Sequence, residues 1–327
     1  MNIPTSLRRA KAPLALTAAV MLAASACGGS AEGSENGSSG SQDLSGTIKV
    51  DGSSTVAPLS TAAAQLFQQK NPGVQVTVGT SGTGGGFEKF CNGETDIQDA
   101  SRPIEDDEKA NCEQNGVQYS EFQVANDGLS IVVNKENDWA DCLTVAQLKR
   151  IWEPGSDINN WNQVDSSFPD EKLELFGPGT DSGTFDYFTQ SINGEEGASR
   201  TDYSPSEDDN VTVQGVSGSK GGMGYFGLSY YEENKDKLKV LKVDGGDGCV
   251  APDTATVQDG SYKPLSRPLF IYPKASSLDK PEVLAFVEYY VENNADIASK
   301  AQFVPLNSTQ EAELNRQLSN LKAQHTS

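Results

Sequence analysis

Three stretches of this 327-residue chain share one arrangement: an apolar strand pattern, a short run of Ser, Thr and Gly, then a helical pattern. They centre on Ser53-Ser54-Thr55, Ser81-Gly82-Thr83 and Ser182-Gly183-Thr184. A helix N-terminus carries unpaired N–H groups and about half a positive charge, so it favours an anion. Hydroxyls add donors, and glycine lets the backbone come close. Any one such loop reads equally as a helix N-cap. Three of them, far apart in sequence, point to convergence on one oxyanion, with Ser54, Thr55, Ser81, Thr83, Ser182, Gly183 and Thr184 as donors.

A fourth element is Asp99-Ala100-Ser101-Arg102-Pro103. Pro103 pushes Arg102 into an extended conformation, which suits a side chain projecting from a strand end into a cleft. A guanidinium grips a tetrahedral oxyanion bidentately and keeps its charge. The competing use of Arg102 is a surface salt bridge with an acid between Glu105 and Glu108. Metal chemistry has little to draw on, since no CxxC occurs and the single histidine is His325. Gly179-x-Asp181-Ser182-Gly183 has the outline of a serine-hydrolase loop, but such a serine needs a base the chain does not supply. The glycines at 82–86 are not followed by Gly-Lys-Ser/Thr and make no P-loop. No catalytic residue, metal or cofactor is assigned.

The elements that must position these groups alternate along the chain. Strands are expected over 47–50, 74–78, 128–134, 173–176 and 268–272. Helices are expected over 58–70, 87–92, 143–152 and 283–291, with a further helix carrying Phe185, Phe188 and Ile192. Residues 79–86 read as a glycine-rich loop. About 280 residues follow the N-terminal segment, more than one core normally serves, so an α/β protein of two lobes is expected.

Arg8, Arg9 and Lys11 followed by the apolar stretch 12–24 form a signal peptide over 1–26, too short to span a bilayer. Ala24-Ser25-Ala26-Cys27 resembles a lipobox, in which Cys27 is acylated; the alternative is simple cleavage after Ala26. Residues 27–45 have nothing to bury and read as a flexible tether with a reach on the order of 25 Å. The four remaining cysteines, Cys91, Cys112, Cys142 and Cys249, read on an exported chain as two disulfides. Three connectivities are open, with Cys91–Cys112 the local pairing and Cys142–Cys249 the distal one. Removing the three basic residues of the signal peptide leaves 22 basic against 46 acidic side chains, a net charge of −24. Nucleic acid is thereby excluded as a partner of the overall field. An anion site must rely on local donors within a screening length of about 8 Å.

Taken together, five motifs resemble the phosphate-binding PstS family of ABC-importer receptors over residues 46–310. They are Asp-Gly-Ser-Ser-Thr-Val at 51–56, Gly-Thr-Ser-Gly-Thr-Gly-Gly-Gly at 79–86, Asp-Ala-Ser-Arg-Pro at 99–103, Asn-Asp-Gly-Leu at 126–129 and Gly-Thr-Asp-Ser-Gly-Thr at 179–184. The resemblance implies an extracytoplasmic, lipid-anchored monomer with the two-lobed Venus-flytrap fold of periplasmic binding proteins. Lobe I would comprise 46–133 and 264–327, and lobe II 134–263, with hinges near 127–133 and 264–270. Inorganic phosphate and membrane permease subunits would be its partners. It implies Ser54, Thr55, Ser81, Thr83, Ser101 and Arg102 as first-lobe phosphate ligands and Ser182, Gly183 and Thr184 as second-lobe ligands. Two departures stand out. The best-known branch has an arginine where this chain has Pro178, and a carboxylate where it has Ser101. A carboxylate that accepts the phosphate proton is therefore sought elsewhere, at Asp127 or else Asp181. The alternatives are a receptor of the same fold for sulfate or molybdate, or a phosphatase-like hydrolase.

Overall fold

The computed structural model describes residues 44–180 and 182–325. The signal segment, Cys27 and Asp181 lie outside the described residues.

The chain opens with β1 (Ser45–Gly52), α1 (Ala57–Lys70), β2 (Gly73–Val78), α2 (Gly82–Cys91), β3 (Ile97–Ala100), α3 (Asp106–Gln114) and the long β4 (Phe122–Asn134). It continues through β5 (Cys142–Thr144), α4 (Val145–Trp152), α5 (Trp161–Val164), β6 (Glu174–Gly177), α6 (Gly183–Phe188), β7 (Ser204–Pro205), α7 (Asp209–Gly218) and β8 (Gly222–Gly227). After α8 (Leu228–Asn234) come β9 (Leu238–Val240), β10 (Lys242–Asp244), β11 (Cys249–Val250) and α9 (Thr254–Gln258). β12 (Ser266–Pro273), α10 (Pro281–Glu292), α11 (Asn294–Lys300) and α12 (Ser308–His325) complete it.

One mixed sheet runs β2-β1-β3-β12-β4-β8-β6-β7, with β9 also paired to β4. β1 lies parallel to β2 and β3, so the loops after all three emerge at the same end. β12 is antiparallel to both β3 and β4, and β4 is antiparallel to β8. The first half of β4 pairs with β12 and its second half with β8, so this strand of 13 residues threads two layers of packing. Val124 and Ala125 of β4 join one apolar core with Leu59, Phe67, Leu269 and Phe286. Leu129, Ile131 and Val133 join a second, with Trp152, Trp161, Phe188 and Tyr225. The chain crosses again at β12: Leu269 and Ile271 of the strand belong to the first core, and Leu265 just before it to the second. The fold is the expected two-lobed α/β architecture, each lobe with its own core. Each fully buried large apolar side chain contributes about 1.5–3 kcal/mol toward holding it.

Local chemistry explains where elements differ from expectation. β1 begins at Ser45, inside the span read as tether, because Ser45 pairs with Gly73. α2 begins at Gly82, so the glycines at 82–86 are helical and not loop; Gly86 packs a bare Cα against Gly52 and Gln98 where a Cβ would lie 2.3 Å from Gln98 Oε1. Residues 142–144 form a strand, and the helix waits until Val145 because Thr144 and Gln147 make a capping box. The helix after Thr184 widens into a π-turn over Thr189–Asn193, where the Thr189 hydroxyl donates to the Phe185 and Asp186 carbonyls at 2.8 and 3.0 Å. The disulfides are Cys91–Cys112, tying α2 to α3, and Cys142–Cys249, joining β5 and β11 of a small second sheet.

Candidate functional site

The loops after β1, β2 and β3 sit side by side because their strands are parallel neighbours. Gln98 of β3, fully buried, binds them together: its Nε2 donates to the Thr83 and Asp99 carbonyls, both at 2.9 Å. The Asp99 carbonyl also accepts from the Ser53 backbone N–H at 2.9 Å. One amide thus links all three loops. Gly52 is required there, since a Cβ on it would lie 2.1 Å from the Asp99 carbonyl oxygen.

Around the end of these strands lies a cavity of about 710 Å³ whose walls include Ser53, Ser54, Thr55, Ser81, Thr83 and Ser101. The Thr83 and Ser101 hydroxyls are 3.1 Å apart, and the Ser101 N–H donates to Thr83 Oγ1 at 3.2 Å. Ser81 donates to Asp51, whose other oxygen holds Lys89 at 2.9 Å. Burial pushes the Asp51 carboxyl up, but Ser81 and Lys89 together hold it below the usual range. The Ser81 hydroxyl is therefore oriented by a charged anchor.

Arg102 lines the same cavity, one-third exposed. Here its guanidinium forms a bidentate pair with Glu108, both bonds 2.8 Å, and stands 3.2 Å from Glu105. Of the two uses weighed for this residue, the structure shows the salt bridge, made at the wall of the cavity.

The second lobe approaches Thr55. The Thr55 hydroxyl faces the Gly183 carbonyl at 3.4 Å, and a Cβ on Gly183 would lie 2.9 Å from Thr55 N and Oγ1. Ser182 caps α6, accepting from the Thr184 N–H at 3.2 Å. Ser182, Gly183 and Thr184 line an adjoining space of about 720 Å³ on the other side of that contact. Asp186 reaches the hydroxyl cavity, where Ser54 donates to it at 3.3 Å. Burial and then the nearby Glu196 push its carboxyl up, against the pull of Ser54 and Arg267.

Asp127 lines neither space. It borders a small neighbouring cavity of about 110 Å³ with Thr184 and Asp209, and it is buried against Arg267, its cross-strand partner. Burial raises its carboxyl, while Arg267 opposes the rise.

Arg267 and Asp186 escaped the sequence reading. Arg267 lines the hydroxyl cavity, with Nη2 donating to Thr55 Oγ1 at 2.7 Å and Nε to Asp127 at 3.2 Å. Its guanidinium lies 3.5 Å from the centre of the Tyr187 ring. A signal for it existed: Ser-Arg-Pro occurs at 266–268 as well as at 101–103. Asp186 left none, since an acid in the first turn of a helix is ordinary. Among the described residues, no group of three or more His, Cys, Asp or Glu could hold a metal ion.

A family model described as a PBP superfamily domain matches residues 37–294. Protein SphX of Synechococcus elongatus is 48% identical over 262 residues, covering 79% of this chain and 77% of that protein. The phosphate-binding protein PstS of Staphylococcus aureus is 39% identical over 311 residues, 94% of this chain and 90% of its own. A solved structure of a possible phosphate binding protein from Planctomyces limnophilus superposes with a TM-score of 0.82 at 46% identity, covering 85% of this chain and 99% of that one.

Proposed function

This chain belongs to the PstS phosphate-binding proteins of the periplasmic-binding-protein superfamily, and on that footing we propose that it captures inorganic phosphate outside the cytoplasm and delivers it to an ABC importer. The observation that carries the reading is the hydroxyl-rimmed cavity: six Ser and Thr residues from three linked loops, with a guanidinium at its edge. Such a surface is more polar than apolar and rich in hydroxyls, which suits a small hydrated oxyanion over an organic ligand.

In this reading Ser54, Thr55, Ser81, Thr83, Ser101 and Arg102 bind phosphate from a lobe comprising 46–133 and 264–327. Ser182, Gly183 and Thr184 close on it from a lobe comprising 134–263. The crossing segments 127–133 and 264–270 act as hinges, a role supported by the way β4 serves both cores and by Leu265 of the second core lying four residues before Leu269 of the first. Ligand shifts the population toward closure because only the closed form makes both sets of bonds.

The acceptor for the phosphate proton is Asp186 in this proposal, in place of Asp127. Asp186 faces the cavity beside Ser54, whereas Asp127 is occupied by Arg267. A carboxylate there repels fully ionised sulfate and accepts a bond from HPO₄²⁻. The protein acts as a monomer, held to the membrane by lipid on Cys27 and read by the importer's permease subunits.

Calorimetry on the ligand-stripped chain from residue 44 onward tests the reading. Tight binding of phosphate at one site with no heat from sulfate is expected. Sulfate binding in its place would overturn the specificity, and silence with both would overturn the function.

A further inference from the structure

Two Ser-Arg-Pro segments end at one cavity, yet their arginines stand in different company. Arg102 is held at the rim by Glu108 and Glu105. Arg267 is deeper, its side chain 17% exposed, and it sits on β12 where that strand passes between the cores. Its partners come from three elements. Asp127 lies opposite it on β4, Thr55 belongs to the loop entering α1, and Tyr187 belongs to α6 of the second lobe. Tyr187 is itself fixed, donating to the Pro264 carbonyl at 2.8 Å.

We propose that Arg267 contacts the bound phosphate from the hinge, so that one guanidinium joins the ligand to both lobes. The inference rests on the phosphate reading above and extends it. Among the described residues, two of the five N–H donors of Arg267 are engaged, by Asp127 and Thr55. The others serve an oxyanion in the cavity that the residue lines. Asp127 and the Tyr187 ring hold the planar group in place before ligand arrives, which lowers the ordering cost of binding. The charged groups sharing its surroundings are Asp127 on β4, Asp186 on α6, and Arg102, Glu105 and Glu196 around the cavity. With Asp127 neutralising half of the pair and two acids neutralising Arg102, an incoming dianion competes with carboxylates for both cations.

Removing Arg267 alone strands a buried carboxylate, which is destabilising whatever the role of the arginine. The test therefore compares Asp127→Asn with Asp127→Asn/Arg267→Gln, neither of which leaves Asp127 as an unpaired anion. Calorimetry with inorganic phosphate should show Asp127→Asn binding at least as tightly as the parent. The double variant should bind about 10- to 100-fold more weakly than Asp127→Asn, the loss of a charge-assisted contact. Arg267→Lys, which keeps the charge and the Asp127 pair, should fall between them. Equal affinity of Asp127→Asn and the double variant would show that Arg267 is only a structural counter-ion. A parent that ignores phosphate would overturn the functional reading together with this inference. A parent that binds, with variants that match it, overturns this inference alone.

Discussion

Replacing Gly183 by alanine asks whether the contact between Thr55 and the Ser182–Thr184 turn belongs to the bound state. The new methyl would lie 2.9 Å from Thr55 N and Oγ1, against ordinary contact at 3.4 Å or more, so the two segments must part by about 0.5 Å. The Thr55 to Gly183 bond is already 3.4 Å long and does not survive that step. Hydroxyl and amide bonds to an oxyanion from the second lobe would lengthen by the same amount. Losing the equivalent of one charge-assisted bond costs about 1.5–3 kcal/mol, or roughly 10- to 150-fold in affinity. The opposing effect is small: alanine in place of glycine at the start of α6 favours the helix by at most about 1 kcal/mol. Calorimetry and thermal unfolding with and without phosphate separate the two. The ligand-free midpoint should move little, while the stabilisation produced by saturating phosphate should drop by about 2 kcal/mol. A Gly183→Ala protein that binds phosphate as the parent does would refute the idea that closure seats this turn against Thr55.

Arg102→Ala should weaken phosphate binding by about 3 kcal/mol, on the order of 100-fold in Kd by calorimetry; unchanged affinity would leave Arg102 as the surface partner of Glu108 alone. Asp99 is fully buried, its carboxyl accepts only from Ser60 among the described residues, and burial pushes that carboxyl up to about 8. Its folded pKa lies above its unfolded one, so the stability it contributes is complete below about pH 4 and is lost as pH rises toward 8. Asp99→Asn should flatten that slope in urea titrations across this window. The Cys142–Cys249 bridge closes a loop with a sequence separation of 107, so removing it with serines should cost about 4–5 kcal/mol in equilibrium unfolding, more than the roughly 3 kcal/mol for Cys91–Cys112.

The strand-loop-helix motifs were legible because they obey local rules. Strand alternation, Pro58 at the start of α1 and the Ser/Thr/Gly runs are read within a few residues of one another. The same rules misplaced the start of α2, since the four glycines and one threonine at 82–86 look like a loop. Only the packing of Gly86 against Gly52 and Gln98, from other strands, explains why helix is tolerated there. Arg267 went unseen for a similar reason. Its partners are 140 and 212 positions away in sequence, and the one local mark, the second Ser-Arg-Pro, does not say which way a β-strand arginine faces. Asp127 illustrates the reverse. Its placement before an apolar strand made it an attractive acid, but pairing register decides which cation it meets.

Gln98 has a wider consequence. Because one buried amide ties the carbonyls of Thr83 and Asp99, and through the latter the Ser53 N–H, the three loops share a single point of failure. Positional error in them is correlated: a disturbance at Gln98 reaches all three loops at once, whereas a change at one donor stays local. The first half of the cavity is thus a mould cast before any ligand arrives. A change at Gln98 therefore reaches the wall of the cavity from a residue outside its lining.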